Sequence, residues 1–119
     1  MTHKEIEQFL LAKPGAKLDY PFGEEAAVYK VADKMFAIVR EGKDPVQISL
    51  KCDPLLAETL RKNYESVMPG YHLNKKHWNT IVLSGQLGDD EIFDLINHSY
   101  NLVVESLPQD EQAKLNGEG

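Results

Sequence analysis

The sequence predicts an α+β domain, in which an antiparallel sheet has helices packed on one of its faces. Three runs with the residue pattern of β-strands follow one another between Ala27 and Lys51, and short turns separate them. Apolar residues at helical spacing precede these runs, follow them and recur near the C-terminal end. The predicted order is therefore a helix, three strands, a helix, one or two strands and a helix.

The first helix has recognisable signals at both ends. Thr2, followed three residues later by Glu5, has the pattern of a capping box. Apolar residues then recur at helical spacing as far as Leu10. Pro14 and Gly15 end the helix, because proline cannot continue its hydrogen-bond ladder and glycine suits a reversal of the chain.

The connection Ala16–Glu25 contains the turn Tyr20-Pro21-Phe22-Gly23. We expect its two aromatic side chains to pack against the edge of the core, since large aromatic residues are buried more often than not. Three strands follow at Ala27–Val31, Lys34–Glu41 and Val46–Lys51. The connections between them are short, so the three strands are predicted to form an antiparallel meander.

The second and third of these strands differ in pattern. Lys34–Glu41 is apolar on both faces, which predicts a strand that is central or covered on both sides. Val46–Lys51 alternates strictly between apolar and polar residues. Its polar residues predict that one face of the sheet is exposed to water, at least along this strand.

The second half of the chain is predicted to add a helix, two extended segments and a long final helix. Asp53 and Pro54 begin the first of these helices as cap and first-turn residue. Short extended segments follow at Ser66–Pro69 and Asn79–Leu83, and the last helix begins at the acidic residues after Gly88. Pro108 ends that helix. We predict a single domain over residues 1–108 and a flexible C-terminal tail over residues 109–119.

Composition limits the function classes. The formal net charge of -6 argues against bulk electrostatic coating of nucleic acid. The charge is uneven, however, because residues 89–119 carry eight Asp/Glu and one lysine, whereas residues 1–88 carry twelve Lys/Arg and eleven Asp/Glu. No apolar run approaches the roughly 20 residues of a membrane helix, and the charged N-terminus lacks the apolar stretch of a signal peptide. The single cysteine fits a reducing compartment, so we expect a cytoplasmic protein without a membrane partner.

The segment 71–83 concentrates the polar and aromatic residues with chemical potential, and residues 66–88 contain no Asp or Glu. In one interpretation, lysines and histidines of this segment contact a phosphate backbone while Trp78 offers a flat face to a base. In the other, Trp78 is a core residue, the asparagines cap local backbone and the lysines are solvated. The candidate nucleic-acid-binding residues are Lys51, His72, Asn74, Lys75, Lys76, His77 and Trp78.

No catalytic, metal or cofactor site is predicted. Cys52 lies near a helix start, where the helix dipole could lower a thiol pKa, but a small sulfur at a strand end is more often a packing residue. His72 and His77 are five residues apart, with no third ligand at metal spacing. The glycine-rich phosphate-binding motifs and the G-x-S-x-G motif are absent from the sequence. We therefore expect a non-enzymatic protein, and the alternative is an enzyme that uses Cys52 with a histidine.

Four parts of the sequence resemble the MmcQ/YjbR family of bacterial proteins. They are the run G-Y-H-L-N-K-K-H-W-N-T-I at Gly70–Ile81, the strand at Lys34–Val39, the segment Ile48–Cys52 and A-K-P-G-A at Ala12–Ala16. The resemblance implies a compact α+β domain with a CyaY-like, or double-wing, sheet. A related sheet occurs in the DNA-binding domain of a phage transcription factor, and family members are described as DNA-binding proteins.

Two function hypotheses follow. The first is a small, non-enzymatic, cytoplasmic DNA-binding domain that uses the polar sheet face and residues 71–80, with weak, salt-sensitive affinity. The second is a protein-interaction or small anionic-ligand-binding module without a nucleic-acid function. A frataxin-like role in iron binding would need an acidic ridge along the first helix and strand. That helix offers only Glu5 and Glu7, balanced by Lys4 and Lys13.

Overall fold

The computed structural model describes residues 2–70 and 72–115 and shows one six-stranded antiparallel sheet with helices. The strand order across the sheet is β1-β2-β3-β4-β6-β5. The predicted α+β class is confirmed. The elements are α1 (His3–Leu11), β1 (Ala16–Asp19), β2 (Ala26–Val31), β3 (Lys34–Arg40), β4 (Gln47–Lys51), α2 (Pro54–Asn63), β5 (Val67–Pro69), β6 (Trp78–Val82), α3 (Asp89–Glu105) and α4 (Gln109–Leu115).

The central meander forms as the sequence predicts. Strand β3 lies between β2 and β4 and is antiparallel to both. Its residues from Phe36 to Val39 are buried, in agreement with the expectation that both faces of this strand are covered. A shift in register between Tyr29 and Lys30 marks an irregularity in the β2–β3 pairing. Both Phe36 and Ala37 consequently belong to the main core.

One face of the sheet packs against α1 and α3 and forms the hydrophobic core. Ile6 and Leu10 of α1 are fully buried, and the capping box of Thr2 and Glu5 that the sequence predicts is present. Helix α3 lies across β2, β3 and β4. Its Tyr100 ring meets the Phe36 ring edge to face, with 5.3 Å between the ring centroids.

A hydroxyl group of α3 links β3 to β4 where their regular pairing ends. The last paired residues are Ala37 and Leu50. Beyond them, Ser99 Oγ accepts a hydrogen bond from the backbone N–H of Lys51 at 2.9 Å and donates to the backbone carbonyl of Phe36. Ser99 is fully buried, so its hydroxyl satisfies two backbone groups that water does not reach.

We therefore expect Ser99→Ala to lower the free energy of unfolding by about 2–4 kcal/mol, because it leaves a buried N–H and a buried C=O without partners. Urea unfolding followed by far-UV circular dichroism measures the change. Ser106→Ala is the matched control, since Ser106 is exposed. Its hydroxyl donates to the Val103 carbonyl and accepts a long hydrogen bond of 3.4 Å from Lys34 Nζ. Equal losses in the two variants would contradict the special role of Ser99.

Two elements differ from the sequence predictions. The connection after α1 contains an additional strand, β1, which pairs with β2 at one edge of the sheet. Residues 109–115, assigned by the sequence to a flexible tail, form helix α4, and Leu115 packs against the core. Gly15 accommodates this contact, because a Cβ there would lie 2.4 Å from Leu115 Cδ2. The rest of the predicted tail, residues 116–119, lies outside the described residues.

The second face of the sheet is less open to water than the sequence predicts. Ser49 and Thr80 are almost fully buried on this face, and their hydroxyl oxygens lie 2.8 Å apart in a hydrogen bond. Ile38, next to Ser49 across the β3–β4 pairing, is also buried. The prediction of a wet face along β4 is therefore wrong for Ser49. We call this surface, opposite α3, the second face.

The turn between β1 and β2 also departs from expectation. Phe22 is 67% exposed and Tyr20 is 44% exposed, so neither aromatic ring is inserted into the core. The prediction that they pack against the core edge is wrong. Gly23, with φ +106, lets the chain reverse directly after Phe22. The loop consequently projects its aromatic rings from the protein surface.

Candidate functional site

The segment that carries most of the candidate residues is a tight loop between β5 and β6. Gly70 N–H donates to the Trp78 carbonyl at 2.8 Å and closes the loop at its base. A Cβ at Gly70 would lie 2.7 Å from Trp78 Cβ and 3.2 Å from Leu73 Cβ, so glycine permits the close approach. Tyr71 lies outside the described residues.

Asn74 shapes the turn that presents the two adjacent lysines. Its side-chain Oδ1 accepts from the Lys76 N–H at 2.9 Å, and its carbonyl accepts from the His77 N–H at 3.2 Å. These are the bonds of a local asparagine turn. Lys75 and Lys76 are exposed at its tip. The role of Asn74 visible in the structure is thus to hold the backbone from which these lysines project.

The loop is joined to the end of β4, which brings Lys51 to the same end of the sheet. The carbonyl of His77 accepts from the Cys52 N–H at 2.8 Å. Lys51 is the Cα partner of Trp78 in the β4–β6 ladder, and both side chains point to the second face. Lys51 is half-buried. Candidate residues that are more than twenty positions apart in sequence therefore meet at one end of β4 and β6.

Arg61, at the end of α2, holds the loop against the body of the domain. Its Nε donates to Asn79 Oδ1 at 2.6 Å, and its Nη2 donates to the Trp78 carbonyl at 3.1 Å and to the Lys75 carbonyl. The Asn79 amide in turn donates to the Ala57 carbonyl at 3.3 Å. A planar guanidinium with several fixed donors suits this clamp. Sequence reasoning missed Arg61, since only the fold brings α2 to the loop.

The same contact brings Lys62 to this end of the sheet. Lys62 neighbours Arg61 in the last turn of α2 and is exposed. We call the group of Lys51, Lys62, Lys75 and Lys76 the basic end. The Asp53 carboxylate caps the start of α2, where it accepts hydrogen bonds from the N–H groups of Leu55 and Leu56. The basic end thus takes lysines from β4, α2 and the loop, with Lys51 directed to the second face and α2 lying on the side of Asn79.

Trp78 and His72 have surroundings different from those of the lysines. Trp78 is only 8% exposed, so its indole is a packing residue in this conformation and offers little surface to a stacked base. His72 is exposed and has a positive φ of 56. With Leu73 it lines a cleft on the second face rather than the tip that carries Lys75 and Lys76.

Cys52 is buried between β4 and α2. Burial raises the pKa of its thiol to about 11, the Asp53 carboxylate adds to the rise and Arg61 opposes it. The thiol therefore stays protonated at neutral pH, and a protonated thiol is a poor nucleophile. The environment is the reverse of one that activates a cysteine.

We expect iodoacetamide to alkylate Cys52 in the folded protein at pH 7.5 at least about tenfold more slowly than a free thiol of ordinary pKa. Mass spectrometry over time gives the rate, and the same protein in urea is the control, because unfolding removes the burial. Alkylation of the folded protein at the rate of the unfolded protein would contradict the assigned environment.

Within residues 2–70 and 72–115, no group of three or more His, Cys, Asp or Glu residues has a geometry that could hold a metal ion. None of the helices in these ranges has the length and apolar character needed to cross a membrane.

Comparison with known proteins gives consistent matches along the chain. A family model described as YjbR matches residues 11–102. The uncharacterised protein YjbR of Escherichia coli K12 is 41% identical over 115 residues, which cover 97% of this chain and 98% of that protein. The uncharacterised protein YyaQ of Bacillus subtilis is 30% identical over 117 residues, covering 87% of this chain and 98% of that protein.

Solved structures agree with the fold. The crystal structure of Deinococcus radiodurans protein DR2400 has a TM-score of 0.91 and 34% identity, with 97% of this chain and 88% of that chain covered. A crystal structure of a protein from Pseudomonas syringae has a TM-score of 0.73 and 33% identity, with 86% of this chain and 98% of that chain covered.

Proposed function

The chain belongs to the YjbR family, and from that premise we propose that it is a small, non-enzymatic, cytoplasmic protein that binds the phosphate backbone of DNA through its basic end. A backbone contact of this kind is electrostatic and carries no base sequence information by itself. We also propose that the sheet is of the CyaY-like, or double-wing, type that the family resemblance implies. The buried free thiol of Cys52 supports a reducing compartment.

The observation that carries the proposal is that three elements joined by hydrogen bonds, namely the end of β4, the end of α2 and the loop before β6, all carry lysines. Lys51 ends β4, Lys62 lies in the last turn of α2, and Lys75 and Lys76 occupy the tip of the loop before β6. Residues 66–88, which include that loop, contain no Asp or Glu. A local group of ammonium ions can hold phosphates on a protein whose net charge is negative.

The expected affinity is weak because few phosphates are neutralised. Each phosphate contact changes the slope of log K against log salt by about -0.9, so phosphate contacts from three of the four lysines predict a slope of about -2.7. The association constant should consequently fall about 20-fold between 50 and 150 mM salt. A micromolar or weaker dissociation constant at the lower salt concentration is the expected range for non-specific binding.

We expect the double variant Lys75→Ala/Lys76→Ala to bind a fluorescent DNA duplex about tenfold more weakly at 50 mM salt, because two phosphate contacts are lost. Fluorescence polarisation measures the binding. The matched control is Lys4→Ala/Lys114→Ala, which changes the net charge by the same amount. These exposed lysines lie on α1, which contacts β1, and on α4, whose Leu115 lies at Gly15 just before β1, away from β5 and β6.

Two outcomes would overturn the proposal. One is an absence of binding by the parent protein at 50 mM salt. The other is an equal loss in the two double variants, which would mean that total charge rather than the basic end governs the interaction. Either outcome would leave the protein-interaction or small anionic-ligand hypothesis as the better account of this domain.

A further inference from the structure

A cleft on the second face of the sheet is distinct from the basic end. It lies between the β1–β2 loop and residues 72–73, and its volume is about 310 Å³. Ile38 and Ser49 lie at its base on neighbouring strands. Phe22 lines it from one loop, and His72 and Leu73 line it from the other. The volume falls at the lower end of the range for small-molecule sites.

The exposure of Phe22 needs an explanation that the core does not provide. This ring is 67% exposed, the second highest exposure among the large hydrophobic side chains of residues 2–70 and 72–115, and it stands at the edge of the cleft. Leu73 on the opposite loop is half-buried, and Ile38 at the base is apolar. An apolar cleft with an aromatic ring at its edge and a few polar groups is typical of sites for small organic molecules.

The cleft and the groove beside it together carry more cationic than anionic side chains. Arg40 is half-buried and lines both this cleft and an adjoining groove that contains Lys43, Gln47 and Thr80. Glu25 is the one carboxylate among the residues that line the two, within the described part of the chain. A guanidinium has five N–H donors, so Arg40 can bind a carboxylate in addition to other partners. Ser49 lies at the base, where its hydroxyl group is hydrogen-bonded to Thr80.

We propose that the cleft binds a small amphipathic organic anion, in which a carboxylate is attached to an aromatic ring or a short apolar chain. The ring or chain lies between Phe22 and Leu73 over Ile38, and the carboxylate is bound by Arg40. This site is separate from the proposed DNA contact, because it uses neither Lys62 nor the lysines of the loop tip. A molecule of about ten heavy atoms is expected to bind with a dissociation constant of about 1 mM or below.

The test uses the full chain and three probes at fixed ionic strength, namely phenylacetate, phenylacetamide and acetate. Phenylacetamide keeps the ring and lacks the charge, whereas acetate keeps the charge and lacks the ring. In two-dimensional NMR titrations we expect phenylacetate to shift the amide signals of Ile38, Ser49 and Leu73. Its affinity should exceed that of each of the other probes at least about fivefold, since each lacks one of the two interactions.

Phe22→Ala separates a binding role of this ring from a folding role. Because Phe22 is largely exposed, the variant should fold like the parent and bind phenylacetate about fivefold more weakly. Leu55→Ala is the control, since Leu55 is 77% exposed on α2 and lies outside the cleft. Lys75→Ala/Lys76→Ala should retain phenylacetate binding, so failure of the DNA proposal and failure of this one are distinguishable. Equal affinities for phenylacetate and acetate, signal changes elsewhere in the protein, or an unchanged Phe22→Ala variant would overturn the assignment.

Discussion

Replacement of Trp78 by alanine is expected to lower the free energy of unfolding by about 3–5 kcal/mol. The indole is 8% exposed, and its Cβ lies in close contact with the backbone at Gly70, so truncation leaves a cavity that the tight loop cannot easily fill. Trp78 is the only tryptophan in the chain, so urea unfolding must be followed by far-UV circular dichroism rather than by tryptophan fluorescence. A loss of this size is a large part of the total stability of a small domain.

The matched control for this prediction is Phe22→Ala. It also removes an aromatic ring, but one that is 67% exposed, and the expected change is within about 0.5 kcal/mol. Trp78→Phe should lose only part of the stability, since it retains a ring. If Trp78→Ala unfolded at the same urea concentration as the parent while DNA binding fell, the indole would be a base-stacking group and its assignment as a packing residue would fail.

Arg61→Ala is expected to lower the free energy of unfolding by about 2–4 kcal/mol. The variant leaves the carbonyls of Lys75 and Trp78 and the buried side chain of Asn79 without their guanidinium donor. Hydrogen bonds from a charged group are stronger than neutral ones, and the groups left behind are partly shielded from water. Urea unfolding gives the change, and hydrogen exchange at residues 74–79 should accelerate more than exchange in β2 and β3.

Lys62→Ala is the control for Arg61, because it removes the adjacent cation of the same helical turn from an exposed position. It should change stability by no more than about 0.5 kcal/mol and should weaken DNA binding modestly. Arg61→Lys should recover part of the loss, since one ammonium cannot reproduce three guanidinium bonds. Equal stability of the Arg61→Ala and Lys62→Ala variants would show that the clamp contributes little.

Local signals in the sequence predicted the elements that depend on local chemistry. The capping box of Thr2 and Glu5 and the cap at Asp53 are both present. The apolar residues on both faces of Lys34–Glu41 correctly predicted a strand buried within the sheet. Caps depend on contacts within a few residues, and a strand covered on both faces has a continuous apolar run. Both can therefore be recognised in the sequence.

The missed elements depend on contacts between distant residues. Strand β1 is four residues long and exists through its pairing with β2, while α4 is mostly polar and is anchored by Leu115 near Gly15. The strict alternation of Val46–Lys51 predicted a wet face, but Ser49 is buried through its bond to Thr80 on β6. A short or polar segment carries too little periodicity to predict such pairings.

The candidate site shows the same division. The adjacent lysines of the loop and the lack of acids around them are visible in the sequence. The position of α2 beside the loop is a consequence of the fold, and this helix supplies Lys62 and the Arg61 clamp. The position of Lys51 beside the loop follows from the β4–β6 register, which pairs it with Trp78. The adjacent lysines are therefore visible in the sequence, whereas the positions of Lys51 and Lys62 relative to the loop follow from the fold.

NMR mapping of a DNA titration tests the central proposal most directly. A short duplex is added to the labelled full chain at 50 mM salt, and the amide signals that move are assigned. We expect shifts concentrated at Lys51, Lys62 and residues 74–77 that disappear as salt is raised to 300 mM, because phosphate contacts release counterions. An absence of shifts at 50 mM salt, or shifts confined to α1, α3 and α4, would contradict it.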